Sequence, residues 1–330
     1  MEHCSRNESF AERLITLGLK CPMHQSASPQ MKNLTFIAAD ILTSDHDAVA
    51  DWLLPITTPQ NQTDDESEIA EEIENDEREE TPSESDRYKW LGRVLEYLMG
   101  EDLDENCVNY IAKTLQVVLR KRLGALLEYM RACPDMLARL AHLSHFPAIA
   151  QILAKFITDE DEHMSESAKE AKKMVIPLLL QKLHKELALP SSVEVLDCLE
   201  QILQASRYSD PEEPYSELQV LSNMIVSFEE IKFHLNALLP VSPATYNAAS
   251  YLLMAVNREI LDESEGLYNP TLSHSNKLVF TSFAKLAKET AQLAGADRLL
   301  IIKWLELLVS IAKFSYFGND YKKIPREERL

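Results

Sequence analysis

Glycine is scarce in this chain: seven residues in 330, at 18, 92, 100, 124, 266, 295 and 318, about a third of the ~7% typical of soluble proteins. So few and so scattered, they form no GxGxxG, no GxxxxGK[ST] and no GxSxG, which excludes the glycine loops that cradle phosphates and the strand–turn–helix elbow of a nucleophilic serine. They also leave little material for tight hairpin turns, which favours helices joined by short links. Positive charge is in short supply as well. With 33 Lys and Arg against 53 Asp and Glu the formal net charge is −20, the wrong sign for a surface that grips a phosphate backbone or an anionic membrane. Cysteine is sparse and unpaired in pattern: Cys4, Cys21, Cys107, Cys133 and Cys198 are odd in number and contain no CxxC, as expected of reduced thiols rather than a disulfide framework. Long apolar runs are missing. The most apolar stretch, LLIIKWLELLVSIAKF (299–314), carries Lys303 and Glu306 and is too short to span a bilayer, and the opening MEHCSRNESF has no apolar signal core. A soluble protein of the cytoplasm or nucleus is expected, with no nucleic-acid binding and no membrane insertion.

Apolar residues are nevertheless plentiful, at 45% of the chain, enough for a sizeable core, and their spacing is helical throughout. RYKWLGRVLEYLMG (87–100) sets Trp90, Leu91, Val94, Leu95, Leu98 and Met99 on one face, with Gly100 at the stop. DENCVNYIAKTLQVVLRKR (104–122) continues through Val108, Ile111, Leu115, Val118 and Leu119. Pro134 and Pro147 stand at helix starts, where a missing N–H costs nothing. A long helix over 165–186 is expected to kink near Pro177, and helices over 191–206, 214–227, 242–261, 276–294 and 296–314 follow. Ser227 to Glu230 reads as a capping box. No convincing strand appears. Roughly a dozen amphipathic helices, in steps near 35–45 residues per pair, predict an all-α, helical-repeat solenoid of the HEAT or armadillo kind. Residues 1–61 would supply its first helices, 88–316 its main body and 317–330 a flexible tail. Between them, 62–87 is expected to be an acidic disordered insertion: DDESEIAEEIENDEREETPSESD (64–86) has a net charge of −12, leaving −8 for everything else, and a block so self-repelling cannot bury a core.

Candidate chemistry is thin. His142 and His145 with Cys133 or His163 have the residue types of a zinc site, but polar residues at a helix junction explain them more simply. Ser44-Asp45-His46-Asp47 contains acid–base groups, yet Ser44 or Asp45 capping the helix that carries Val49, Trp52 and Leu53 is the plainer reading. No catalytic, cofactor-binding or metal-binding residue is assigned, and the chain is not expected to be an enzyme.

Two stretches carry a resemblance. KNLTFIAADILTSDHDAVADWLL (32–54) is similar, at Ala38, Ala39, Asp40, Ile41, Leu42, Thr43, Ser44 and Asp45, to the "Ala-Cys-Glu-Leu-Leu-Thr-Ser-Asp" segment of SAPS-domain proteins. Residues 88–158 resemble that family's central run at Leu95, Leu98, Leu119-Arg120-Lys121, Leu126, Tyr129-Met130, Leu137, Leu140, His142, Ile149, Ile152-Leu153 and Phe156-Ile157. The chain departs from the family in its acidic insertion and in having no counterpart of the family's N-terminal segment. SAPS proteins are regulatory subunits of protein phosphatase 6. The resemblance therefore implies a non-catalytic helical-repeat subunit that binds and directs a serine/threonine phosphatase catalytic subunit, together with substrate-recruiting proteins. The alternative is a helical-repeat interaction scaffold with a different partner.

One charged motif stands out within the matched region. Arg120, Lys121 and Arg122 interrupt an apolar stretch, VVLRKRLGALLEYM (117–130). At a helix end they would offset the partial charge of free carbonyls. As a candidate partner-binding patch they would meet acidic residues of a phosphatase, or the chain's own acidic insertion folded over them as a lid.

Overall fold

The computed structural model describes residues 8–20, 28–55, 87–101, 103–161, 164–207, 217–238, 243–264, 301–303 and 305–310. The chain is all-α: among the described residues there is no strand. Residues 62–86 of the acidic insertion, the tail and the expected helix at 276–294 lie outside the described residues. No described helix is long and apolar enough to cross a membrane. Backbone contacts divide the chain into two units, Met1–Tyr129 and Met130–Leu330.

In the first unit, α1 (Glu8–Lys20) packs on α2 (Pro29–Leu42). Helix α2 starts where proline allows, with Pro29 in its first turn and the Ser28 hydroxyl accepting from the Met31 N–H at 3.3 Å. Its inward side is small, Ala38 and Ala39 beside Leu42, and α1 answers with Gly18. A Cβ on Gly18 would stand 2.8 Å from Leu42 Cδ1 and 3.2 Å from backbone atoms of Ala38 and Ala39, so the two helices meet closely through this glycine. Helix α3 (Asp47–Leu53) and α4 (Lys89–Glu96) pack together, with the Trp52 and Trp90 rings 5.7 Å apart. A 3-10 turn (Tyr97–Met99) ends α4 before Gly100, as the sequence predicts. Asp104 caps α5 (Glu105–Ala132), its Oδ1 accepting from the Asn106 and Cys107 N–H groups at 2.8 and 3.2 Å. Val108, Ile111, Leu115, Val118 and Leu119 form its buried stripe, each contributing about 1.5–3 kcal/mol of burial. The expected end at 122 proves to be a kink: Arg122 leaves helical geometry (φ −147°, ψ 43°) and the helix resumes.

The second unit contains α6 (Pro134–His142), α7 (Pro147–Thr158), α8 (Glu166–Glu186), α9 (Ser192–Arg207), α10 (Glu217–Ile225), α11 (Phe228–Ala237) and α12 (Pro243–Ser264). Pro134 and Pro147 open α6 and α7 as expected. Helix α8 carries Pro177 inside its span and remains one helix. Alternate helices touch: α6 with α8, α7 with α9, α8 with α10. Two buried lysines of α8 close the carbonyl ends of its neighbours. Lys172 Nζ donates to Asp159 O at 2.7 Å and Ile157 O at 3.5 Å, where α7 ends. Lys182 Nζ donates to His142 O at the end of α6 and lies 3.3 Å from His145 Nδ1. Burial pushes both ammonium groups below the usual lysine range, and the C-terminal helix dipoles are what they answer. Asn247 ties α12 to the α8–α9 turn, its Nδ2 donating to Leu187 O at 2.6 Å and Ser192 Oγ at 2.7 Å.

Candidate functional sites

The basic triplet lies at the α5 kink, and each member meets an aspartate. Arg120 Nη1 is 3.0 Å from Asp45 Oδ2, Lys121 Nζ is 2.9 Å from Asp47 Oδ1, and Arg122 Nη2 pairs with Asp51. Asp47 and Asp51 stand one turn apart on α3, so they share a face. The triplet also meets backbone carbonyls near the kink: Arg122 Nη1 donates to Lys121 O at 2.8 Å and Arg120 Nε reaches Gln116 O at 3.4 Å. Lys121 holds the Asp47 carboxyl below the usual carboxylate range, chiefly by its hydrogen bond, and Asp47 in turn raises Lys121. Three positive charges opposite three negative ones leave this seam locally neutral. The acidic segment imagined as a lid falls outside the described residues.

The SDHD stretch is placed differently from the capping reading. The residue before α3 is His46, which makes no side-chain cap. The Ser44 hydroxyl instead donates back to Ile41 O at 2.7 Å, and Asp45 is committed to Arg120. The three aspartates are recruited as a set by the α5 cations, which a local capping rule does not see. His142 and His145 are likewise used locally: the His142 carbonyl receives Lys182, and His145 Nδ1 sits 3.2 Å from that same carbonyl. Burial and the Lys182 charge press His145 below the ordinary histidine range.

A surface that charge patterns do not reveal lies on α2. This helix is apolar on both sides. Thr35, Ala38, Ala39 and Leu42 are buried, while Met31, Leu34, Phe36, Ile37 and Ile41 face outward. Phe36 is 65% exposed, Ile37 53% and Leu34 52%. Leu34, Ile37 and Ile41 follow one another at helical spacing, so they form a continuous stripe. A single exposed leucine means nothing, but a contiguous run of large apolar side chains on one helix is the usual mark of a contact surface. A groove between α1 and α4, about 320 Å³ and lined by Glu12, Thr16, Arg93 and Tyr97, is less informative. Its Arg93 is already paired, 2.9 Å from Glu96 and 3.7 Å from Glu12.

A third constellation sits in the second unit, where α8 meets α11. The Ser227 hydroxyl caps α11 by accepting from the Glu230 N–H at 3.4 Å, but the Glu230 carboxylate does not complete the box. It turns to His184, Nε2 to Oε2 2.6 Å. His234, one turn beyond Glu230, is fully buried and stacked on Tyr251, ring centroids 3.7 Å apart. Among the described residues neither of its ring nitrogens has a hydrogen-bond partner. Burial, reinforced by the charge of His184, pushes its pKa down to about 3, so the imidazole is neutral. Potential ligand atoms of His184, Glu230 and His234 all lie within 4.8 Å of one another. The i, i+4 relation of Glu230 and His234 was visible in the sequence; their partner, 46 residues earlier than Glu230, was not. Compared with known proteins, the chain matches no family model, no curated protein and no solved structure.

Proposed function

We propose that the protein is a non-catalytic binding subunit of helical-repeat type that engages a phosphatase-6-type serine/threonine phosphatase catalytic subunit through the outward face of α2 and directs its activity. The observation that carries this reading is the exposed stripe of Met31, Leu34, Phe36, Ile37 and Ile41. Most of it falls within residues 32–54, the segment whose sequence resembles SAPS proteins. The phosphatase as partner rests on that resemblance. The solenoid part of the reading draws support from the second unit, where α6–α8, α7–α9 and α8–α10 contacts follow the alternation of stacked helix pairs. A cytoplasmic or nuclear site of action follows from the same proposal, as do further substrate-recruiting partners.

The Arg120–Lys121–Arg122 patch takes a lesser part than its charge suggests, because a partner carboxylate must first displace Asp45, Asp47 or Asp51. The α2 contact itself should therefore be apolar, so that salt acts on how fast a charged partner arrives and not on how fast it leaves. Titration calorimetry of the full chain against the purified catalytic subunit, at about 0.05 and 0.3 M salt, tests the contact. Expected is submicromolar affinity, roughly −8 kcal/mol or better, weakened at least tenfold at either salt by Leu34→Asp with Ile37→Asp. No binding at tens of micromolar removes the phosphatase and leaves a scaffold with another partner. Binding that survives the α2 variant but fails on charge reversal of the triplet moves the contact to the patch.

A further inference from the structure

We propose that His184, Glu230 and His234 form a binding site for a zinc-class divalent cation, joining α8 to α11. Three features support it. The donor set is two imidazoles and one carboxylate, a combination suited to zinc and its first-row neighbours and poorly suited to magnesium or calcium, which prefer all-oxygen shells. The donors are gathered: their ligand atoms lie within 4.8 Å of one another, and ligand atoms about 2.0–2.1 Å from a tetrahedral ion sit roughly 3.3 Å apart. Third, His234 is fully buried with no hydrogen-bond partner at either nitrogen. A buried polar group left in that condition costs about 1–3 kcal/mol, and coordination would relieve one of the two nitrogens.

The surroundings hold the rings in place. Tyr251 stacks on His234 and is itself fixed by donating its hydroxyl hydrogen to Ile225 O. Phe233 lies against His184 with centroids 4.0 Å apart. Such outer contacts orient ligands before the ion arrives. The one rearrangement required is local: the 2.6 Å His184–Glu230 hydrogen bond opens, its shared proton leaves to solvent, and both atoms turn to the ion. Three protein ligands leave a fourth position for water or for a donor from a bound partner.

The test uses the full chain, stripped with a chelator and then titrated with Zn²⁺ alone in competition with a chromophoric chelator. Co²⁺ is added in parallel for its visible absorption. Expected is one tight equivalent per chain, with the intense Co²⁺ bands of a four-coordinate site, and a rise in melting temperature on Zn²⁺ addition. Either Glu230→Gln or His184→Gln should weaken binding at least about tenfold. Glu230→Gln keeps the backbone cap on Ser227, and His184 is only half-buried, so both variants should retain wild-type circular dichroism, which His234 variants need not. Absence of a saturable equivalent below about 10 μM, roughly −7 kcal/mol, overturns the proposal. So does tight binding that both variants leave unchanged, which would place the ion elsewhere on this acidic chain.

Discussion

Replacing Gly18 by alanine sets two effects of known size against each other. Alanine is favoured over glycine in a helix by about 0.5–1 kcal/mol, and position 18, in the last turn of α1, should realise only the lower part of that. Against it stands the α1–α2 approach. The new Cβ would lie 2.8 Å from Leu42 Cδ1 and 3.2 Å from the Ala38 carbonyl carbon and the Ala39 nitrogen. Leu42 can turn aside, but two backbone atoms on a packed helix cannot, so α2 must move outward by a few tenths of an ångström. Overpacking of this kind costs about 1–3 kcal/mol, and the balance is a loss of roughly 1 kcal/mol. Gly92 is the internal comparison. It occupies the middle of α4, where a Cβ would meet only Tyr129 Oη at an ordinary 3.6 Å. There the propensity term acts alone, and Gly92→Ala should stabilise by about 0.5–1 kcal/mol.

Urea unfolding followed by tryptophan fluorescence reads the relevant region. Trp52 and Trp90 both lie in the first unit, and a Trp304→Phe background removes the third tryptophan of the chain. A difference of about 1.5–2 kcal/mol between the two alanine variants separates their midpoints by on the order of 1 M urea. If Gly18→Ala proves as stable as Gly92→Ala, the close α1–α2 approach through Gly18 is no constraint on the packing of these helices.

Lys172 offers a pH test. Burial lowers its folded-state pKa below the ordinary 10.5, so between the two values the unfolded chain holds more protons and stability rises with pH. Lys172→Met should remove that rise, and the wild-type-minus-variant difference measured by urea unfolding should grow as pH rises toward about 10.5; a constant difference refutes it. Lys182 shifts in the same direction but cancels in the comparison. Reversing Arg120, Lys121 and Arg122 to glutamate should lower the melting temperature, and adding lysine at 45, 47 and 51 should recover most of the loss. Failure of the swap to recover it would mean that the seam's geometry, rather than its charge pairing, holds α3 to α5. Asn247→Ala should cost about 1–3 kcal/mol in urea unfolding, because Leu187 O and Ser192 Oγ lose a buried donor; an effect under about 0.5 kcal/mol would show that water replaces it.

Local patterns carried the helices well. Proline at 134 and 147, serine at 227, and the stop at Gly100 each act within one turn of their own position, and the structure uses them as read. What depends on distant residues was less legible. The basic triplet was visible as charge, but its partners are spread over Asp45, Asp47 and Asp51, about seventy residues earlier, and no local rule pairs them. Glu230 was read correctly as following a capping serine, yet its carboxylate is drawn off by His184, a contact that exists only once α8 and α11 pack. The outward stripe of α2 was present in the sequence as Leu34, Ile37 and Ile41. Helical spacing shows that such residues share a face, without showing that Ala38 and Ala39 would be the side turned to α1 and the larger residues the side left out.

The acidic segment 64–86 and the apolar stripe of α2 should separate kinetically. The seam cancels the charge of the triplet, so the long-range field of the chain is dominated by residues 64–86, which hold −12 of the −20. That field acts over a Debye length of about 10 Å at 0.1 M salt and governs how often a charged partner arrives, whereas the apolar contacts of α2 govern how long it stays. Neutralising the acids of 64–86 to their amides should therefore change the association rate and its salt dependence, and leave the dissociation rate within about twofold. Leu34→Asp should do the reverse, raising dissociation tenfold or more. Stopped-flow binding at two salt concentrations gives both rates. A dissociation rate that follows the acidic segment would put those carboxylates inside the bound interface, and the assignment of the contact to α2 would have to be abandoned.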